Sequence, residues 1–319
     1  MPLKLNSTSP TSHISPTSPL TPHPSPLTPH PLPMDKTDHR EDFFKTANNL
    51  DLYEQSWRPS DPVAVVVIVH GYAEHSGRYQ WVASQFGQQG FAVYMFDLRG
   101  HGKSAGVRGF VRSFDDHLAD LELFLKRVEQ QEPDKPIFLL GHSMGGAIAA
   151  LFTIRHQPRL QGLVLSSAVL GLSSRLAPRL VRITTQVTAV LSNWLPGLPT
   201  LLLDRRAICR DPMILASYET DPLVYRQRMP MRTLVGILKT IAEIQARITE
   251  VEMPLLVLHG TADRLVAMEG SQKIYSSISG ETIQLKLYEG FYHELLNEPG
   301  KEQVLADIIA WLRMHLPTG

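Results

Sequence analysis

The feature that most constrains this chain is the pentapeptide Gly-His-Ser-Met-Gly at 141–145. It directly follows an apolar run at 137–140 and leads straight into a stretch of small residues at 146–151. A strand that ends in Gly-x-Ser-x-Gly and passes at once into a helix must turn tightly, and glycine removes the clashes that a Cβ would cause there. Such a turn lifts the hydroxyl of Ser143 clear of the sheet, so the segment predicts a nucleophilic serine.

A second Gly-x-Ser-x-Gly copy occurs at 102–106, and its context is different. A polar loop at 97–101 separates it from the strand-like run at 91–96, and no helix start follows it. Because so short a motif also arises by chance, the context decides between the two copies. We interpret Ser104 as a loop residue and Ser143 as the nucleophile.

A serine at neutral pH needs a base to take up its proton. In folds with this strand–turn–helix serine, the catalytic residues follow along the chain in the order Ser, Asp or Glu, His, so the base is the last of the three. Of the thirteen histidines, only His293 and His315 lie beyond residue 260. His315 ends a periodic helical segment, where histidine is more often a surface or packing residue. His293 lies in a loop after the strand-like segment 282–288. We therefore predict that His293 is the base.

The carboxylate that orients this base is predicted to be Asp263, in the loop just past the buried strand-like run 254–260. Catalytic groups of open parallel sheets collect at the carboxyl ends of the strands. Ser143, Asp263 and His293 each follow a separate predicted strand there. An ion pair with the adjacent Arg264, or a turn-stabilising role, is the alternative for this aspartate.

An oxyanion hole needs two backbone N–H donors fixed where the tetrahedral oxygen forms. Met144, the residue after the nucleophile, is predicted to supply one of them. The other is expected from the loop after the apolar run 63–69, where Tyr72 is the donor by position and Gly71 permits the turn. A simple strand-ending turn at His70 and Gly71 is the alternative.

Five segments together resemble the monoacylglycerol lipase and lysophospholipase branch of the α/β-hydrolases: HGYAEHSGRY (70–79), FDLRGHGKS (96–104), GHSMGG (141–146), TADRLV (261–266) and YEGFYHEL (288–295). The resemblance covers roughly residues 42 to 316, in the family's order and spacing. It implies an α/β-hydrolase fold, with a mostly parallel sheet covered by helices on both faces and a helical cap inserted after the sixth strand.

The same resemblance implies roles for single residues. Ser143, Asp263 and His293 occupy the positions of the family's catalytic triad, and Tyr72 and Met144 occupy those of its oxyanion donors.

Glu74 and Arg78 stand at positions that lie, in the family, near the glycerol-binding end of the pocket. Tyr72 stands where relatives often have a small residue. Its side chain is therefore expected to crowd the mouth of the pocket while its amide stays available.

The function expected from these residues is a serine ester hydrolase that cleaves monoacylglycerols to fatty acid and glycerol. A lysophospholipase or a broader carboxylesterase is the alternative within this class. A non-hydrolytic ligand-binding protein of the same fold, or an acyltransferase, is the alternative from a different class. No phosphate-binding glycine loop and no cluster of Cys or His ligands occurs in the sequence, so neither a cofactor nor a metal is expected.

Composition limits the partners and the compartment. The 31 basic and 31 acidic side chains cancel, so no strong field favours nucleic acid. A chain of 319 residues that is 43% hydrophobic can bury the core of a single domain. The single cysteine, Cys209, has no internal disulfide partner, which is compatible with a reducing compartment. We expect a cytoplasmic protein, and the sequence predicts no oligomeric state.

Three regions are predicted: a disordered tail at 1–41, a catalytic core at 42–170 and 252–319, and a cap at 171–251. The first 33 residues hold ten prolines and no acidic residue, so they are expected to bury no core. They lack the apolar segment of a signal peptide and the arginines of a transit peptide, although their Ser-rich, acid-free composition resembles the latter. A Pro-rich ligand for an SH3-like module is the alternative reading of the tail.

The predicted cap contains an uncharged stretch at 183–203. Polar residues and prolines interrupt its centre, so we expect helices laid over the active site rather than a membrane span. Trp194, Leu195 and Leu198 beside arginines suit peripheral contact with an anionic lipid surface. An ordinary amphipathic cap packed on the core is the alternative.

Overall fold

The computed structural model describes residues 37–171, 191–278, 280 and 282–317. Its strands are β1 (Asp38–Lys45), β2 (Asp51–Arg58), β3 (Ala64–Val69), β4 (Phe91–Phe96), β5 (Ile137–His142), β6 (Gly162–Ser166), β7 (Leu255–Gly260) and β8 (Ile283–Tyr288). Its main helices are α1 (Gln80–Gln88), α2 (Phe114–Gln131), α3 (Met144–His156), α4 (Pro212–Thr220), α5 (Met231–Arg247), α6 (Met268–Ser277) and α7 (Lys301–Met314).

The strands form one sheet in the order β1-β2-β4-β3-β5-β6-β7-β8. β2 runs antiparallel to both β1 and β4, and all other neighbours are parallel. Because β3 to β8 run in the same direction, their carboxyl ends lie along one edge of the sheet. The loops that carry the predicted site residues therefore meet at that edge.

Strand β3 shows how both faces of the sheet are covered. All six of its residues are buried, and successive side chains point to opposite faces. Val65 and Val67 join an apolar cluster with residues of α2, α3 and α5, whereas Val66 and Ile68 join a second cluster with residues of α1 and α7. The predicted α/β-hydrolase architecture, a mostly parallel sheet with helices on both faces, is confirmed.

The chain enters the sheet earlier than predicted. β1 begins at Asp38 and pairs with β2 over eight residues, although residues 38–41 were expected to belong to the tail. The reason is that β1 is an exposed edge strand rich in charge, which gives no hydrophobic alternation to detect. Residues 1–36 of the predicted tail lie outside the described residues.

The region between β6 and β7 contains two different kinds of structure. Residues 191–194 and α4 are short helical pieces, and residues 172–190 lie outside the described range. α5 instead packs on α3 and α2, and its Ile237, Ile241 and Ile244 belong to the main apolar cluster. The division into core and cap stays a prediction, and we propose that α5 belongs to the core. No helix among the described residues is long and apolar enough to cross a membrane.

His117 is an unusual residue of the core. Its side chain on α2 is fully buried, and neither ring nitrogen has a hydrogen-bond partner in the described part of the chain. Burial, assisted by the nearby charge of Arg99 and opposed by Asp116, lowers the pKa of His117 from 6.5 to about 3. The folded protein therefore holds this ring neutral at a pH where the unfolded chain protonates it.

We predict that His117 weakens the fold in acid. The free energy of unfolding loses up to about 1.4 kcal/mol per pH unit through this residue as pH falls from about 6.5 towards 3. Replacing His117 with Leu should therefore increase the stability relative to the wild type progressively below pH 6. Urea unfolding at pH 7.5 and pH 5 measures this difference. His39→Leu, at an exposed position of β1, is the control, and equal pH slopes for wild type and H117L would contradict the prediction.

Candidate active site

The turn between β5 and α3 is strained and closely packed. β5 ends at His142 and α3 begins at Met144, so Ser143 alone makes the connection, with φ 53° and ψ −119°. A side chain at Gly141 would place its Cβ 2.6 Å from the Gly145 carbonyl oxygen, and one at Gly145 would come within 2.2 Å of the backbone of β3. Both glycines are therefore required because backbone approaches backbone, as the Gly-x-Ser-x-Gly motif predicts.

The three predicted catalytic side chains meet at the carboxyl ends of β5, β7 and β8. Ser143 Oγ lies 2.9 Å from His293 Nε2, and His293 Nδ1 lies 2.7 Å from Asp263 Oδ2. All three side chains are buried. With Nδ1 donating to the carboxylate, Nε2 accepts from the serine hydroxyl and can take up its proton.

Asp263 is fixed as a charged acceptor. Its Oδ1 accepts hydrogen bonds from the amides of Leu265 and Val266 at 2.8 and 3.0 Å, and His259 Nε2 lies 3.3 Å from Oδ2. Burial acts to raise the pKa of Asp263, but the charge of His293, the polar contact with His259 and the hydrogen bond with His293 outweigh it, so the pKa is well below its usual range. His259 was not identified from the sequence, because it follows an apolar run like any strand residue.

His293 and His142 are neighbouring imidazoles with opposite tendencies. Burial lowers the pKa of His293, but Asp263 raises it by more, and the net shift is upward. Burial and, to a smaller extent, the charge of His293 lower the pKa of His142 to about 4. Their ring centroids are 4.8 Å apart. At neutral pH the His142 ring is therefore neutral and does not compete with His293 for the proton.

Ser104, the alternative nucleophile, and Arg264, the alternative partner of Asp263, contact other groups in the structure. Ser104 accepts a hydrogen bond from the Tyr53 amide at 2.9 Å and donates one to the Asp97 carbonyl, so it ties a loop to β2. The guanidinium of Arg264 lies over the ring of Tyr292, 4.8 Å from its centroid.

His315 is held at the end of α7. Its Nδ1 lies 2.8 Å from the carbonyl oxygen of Trp311. This contact fits the packing role expected for a helix-terminal histidine.

The loop after β3 lies against Ser143, the predicted nucleophile. A Cβ at Gly71 would be 3.1 Å from the Ser143 Cβ, and the next residue but one, Ala73, has φ 71°. Within the described ranges, the amides of Tyr72 and Met144 have no hydrogen-bond partner. They are thus available to a ligand, as the oxyanion-hole prediction requires.

The side chain of Tyr72 is buried beside this loop. Its hydroxyl donates to the Gly109 carbonyl at 3.0 Å, and its ring meets those of His101 and Tyr225 edge-on. The ring is therefore part of the packing between the loops, and this contact fixes the loop that carries the Tyr72 amide.

Glu74 and Arg78 are engaged with protein partners. Arg78 donates to both carboxylate oxygens of Glu294 at 2.6 and 2.7 Å and to Glu74 at 3.0 Å, and its guanidinium lies over the Tyr218 ring. Glu74 also accepts the Gly71 amide at 2.6 Å. Contact of Glu74 and Arg78 with glycerol stays a prediction. The partner Glu294 was missed in the sequence, although it directly follows the predicted base.

Several known proteins are similar to this chain over most of its length. The family model Hydrolase_4, described as serine aminopeptidase, S33, matches residues 60–300. A monoacylglycerol lipase of Mycolicibacterium smegmatis is 37% identical over 86% of this chain and 98% of its own length. Phospholipase YtpA of Bacillus subtilis is 32% identical over 78% of this chain and 95% of its own length.

A solved structure is similar to this chain as well. The crystal structure of Paleococcus ferrophilus monoacylglycerol lipase has a TM-score of 0.73 at 29% identity, covering 83% of this chain and 99% of that one. The chain therefore belongs to the Hydrolase_4 family, within the monoacylglycerol lipase branch of the α/β-hydrolases.

Proposed function

We propose that this protein is a serine ester hydrolase that cleaves monoacylglycerols to fatty acid and glycerol. The observation that carries the proposal is the continuous chain of hydrogen bonds from Ser143 through His293 to Asp263. The relatives named as monoacylglycerol lipases, at up to 37% identity over most of both chains, support the choice of substrate.

The proposed reaction proceeds in two steps. Ser143 attacks the ester carbonyl as His293 takes its proton, and Asp263 holds the imidazole in the productive tautomer. The amides of Tyr72 and Met144 bind the oxyanion, each contributing about 2.7–4 kcal/mol to the barrier reduction. His293 then protonates the leaving glycerol, and water, deprotonated by the same residue, hydrolyses the acyl-enzyme.

The surroundings of the triad favour an ester over a peptide with a free amino terminus. Recognition of an ammonium group needs an unpaired carboxylate near the nucleophile. The buried acids close to this site, Glu74 and Glu294, share Arg78, and each of their four carboxylate oxygens already accepts a hydrogen bond from a protein group. We therefore propose ester hydrolysis, although the family model carries the description of an aminopeptidase.

The pairing of Arg78 with Glu74 and Glu294 also bears on the choice between a monoacylglycerol and a lysophospholipid as substrate. A lysophospholipid carries a phosphate that needs a cation, and the phospholipase of Bacillus subtilis among the relatives keeps this candidate open. Arg78, the cation next to the oxyanion loop, is already neutralised by two carboxylates. A neutral glycerol head group is therefore favoured, with no cofactor or metal taking part in the reaction as proposed.

A substrate panel tests this proposal. We expect kcat/KM for a 1-monoacylglycerol to exceed that for the lysophosphatidylcholine of the same acyl chain by at least about tenfold, because burying an uncompensated phosphate costs more than 1.4 kcal/mol. A preference for the lysophospholipid would support the runner-up. Absence of turnover of any ester by the folded wild type would favour a ligand-binding protein, and acyl transfer to added glycerol faster than hydrolysis would favour an acyltransferase.

We also propose that the cap region touches lipid surfaces. Residues 191–213 expose seven large apolar side chains, among them Trp194 at 82% and Met213 at 80%: Leu191, Trp194, Leu195, Leu198, Leu201, Leu202 and Met213. Exposed Arg228 donates to the Thr200 carbonyl and lies beside this patch. Apolar side chains flanked by arginine suit shallow insertion into an anionic interface.

Replacing Trp194 and Leu195 together by Asp tests this contact. We expect weaker binding to vesicles that contain anionic lipid, because two inserted apolar side chains are lost, and unchanged hydrolysis of a short soluble ester. The control replaces Val107 and Met314, both 71% exposed on other elements, by Asp. Vesicle binding equal to that of the wild type would exclude the proposed contact, and loss of activity on the short ester would indicate that these side chains pack in the core or line the substrate pocket.

A further inference from the structure

We propose that Glu294 and Arg78 are positioning residues that hold the base His293 and the oxyanion loop in register with each other. The inference rests on the proposed function, since it concerns how the same site is assembled. It assigns to Arg78 a role in the geometry of the reaction rather than in head-group binding, and it adds Glu294 to the site.

The contacts form a continuous path between the two parts of the site. Glu294 follows His293 directly in the chain, and its carboxylate receives two parallel hydrogen bonds from Arg78. Arg78 donates a third to Glu74 Oε2 at 3.0 Å, and Glu74 Oε1 accepts the Gly71 amide at 2.6 Å. Gly71 directly precedes the predicted oxyanion donor, so the path joins the neighbour of the base to the neighbour of that donor.

Each link of this path is geometrically fixed. A bidentate pair of guanidinium and carboxylate restricts both orientation and distance. Asn297 also donates to Glu294 Oε2, and the Tyr79 hydroxyl donates to Glu74 Oε1, both at 2.9 Å. Glu74 and Glu294 are 3% and 6% exposed, and breaking one link leaves an uncompensated charge in the interior. The path is therefore rigid on the scale that catalysis requires.

The triad does not hold the oxyanion loop by itself. Ser143, His293 and Asp263 bond to one another, whereas the loop after β3 contains Ala73 at φ 71°, a conformation that non-glycine residues adopt only when their surroundings impose it. The Glu74 contact with the Gly71 amide is one such restraint. Because an error of 1 Å in the placement of a reacting group can cost about 100-fold in rate, a restraint shared by the base and the donor loop bears on kcat.

The path also affects the base electrostatically. The charged and titratable groups that face His293 are Asp263, Glu294, Glu74 and His142, and the three carboxylates all act to raise the pKa of His293. Burial acts to raise the pKa of Glu294, but Arg78 outweighs it and lowers the pKa to about 2, so the group is charged during catalysis. Neutralising Glu294 should therefore lower the pKa of His293. The acid limb of kcat/KM then moves to lower pH.

Glu294→Gln tests the inference, because glutamine keeps the shape and loses the charge. Glu298→Gln is a matched control. Glu298 is 1% exposed and accepts hydrogen bonds from the backbone amide and the Nε of Arg210, whose side chain is more exposed than that of Arg78. It is thus a buried carboxylate paired with an arginine, and no hydrogen bond among the described residues joins it to Gly71 or Glu74. We expect E294Q to lower kcat about 10- to 100-fold on both a monoacylglycerol and a short soluble ester, with KM within about threefold. E298Q should keep kcat within about twofold, whatever its melting temperature.

The pH profile separates positioning from general destabilisation. The acid limb of kcat/KM should move to lower pH in E294Q and stay in place in E298Q. Equal effects of both variants on kcat and on the limb would overturn the inference. An effect of E294Q confined to KM for monoacylglycerol would also overturn it, in favour of glycerol binding. Failure of the wild type to hydrolyse either ester would count against the proposed function instead.

Arg78→Lys provides a second test should E294Q fail to fold. Lysine keeps the charge and cannot make the bidentate pair. We expect a loss of kcat on the short ester of about tenfold or more with the acid limb of kcat/KM unchanged. Wild-type kcat on that ester would overturn the inference.

Discussion

The site depends on one strained residue at the end of a central strand. Ser143 takes a backbone conformation that costs about 1–3 kcal/mol for a residue other than glycine. It is held there because β5 pairs with β3 and β6, and because every residue from Met144 to Ile154 on α3 is buried. The strain is thus imposed by packing on both sides. This packing also places the first amide of α3 beside the hydroxyl of Ser143, the predicted nucleophile.

The charged groups around this turn set the protonation states of the residues at the site. Asp263 stays ionised through hydrogen bonds from backbone and side chains, whereas burial keeps the neighbouring His142 neutral. Glu74 and Glu294 share the single cation of Arg78. The imidazole of His293 is therefore surrounded by carboxylates that favour its protonated form, which is the form that the proposed attack of Ser143 would generate.

Much of this site could be predicted because its signals are local in sequence. Ser143, Asp263 and His293 each follow a recognisable apolar strand, and parallel strands bring such loops together. The contact of Glu294 with Arg78 could not be predicted, because Arg78 lies 216 residues earlier in the chain. No local sequence pattern indicates an ion pair between two distant loops. The start of β1 was missed for a local reason. Its residues are mostly charged and lie at an exposed edge of the sheet, so they show no hydrophobic alternation. The helix α5 has a strong apolar stripe, and only the tertiary structure shows that this stripe packs on α3.

The most direct test of the account is a crystal structure of the protein after reaction with a fluorophosphonate. We predict a covalent bond from phosphorus to Ser143 Oγ, with the phosphonyl oxygen about 2.7–3.1 Å from the amide nitrogens of both Tyr72 and Met144. An adduct on Ser104, or a phosphonyl oxygen turned away from these two amides, would contradict it.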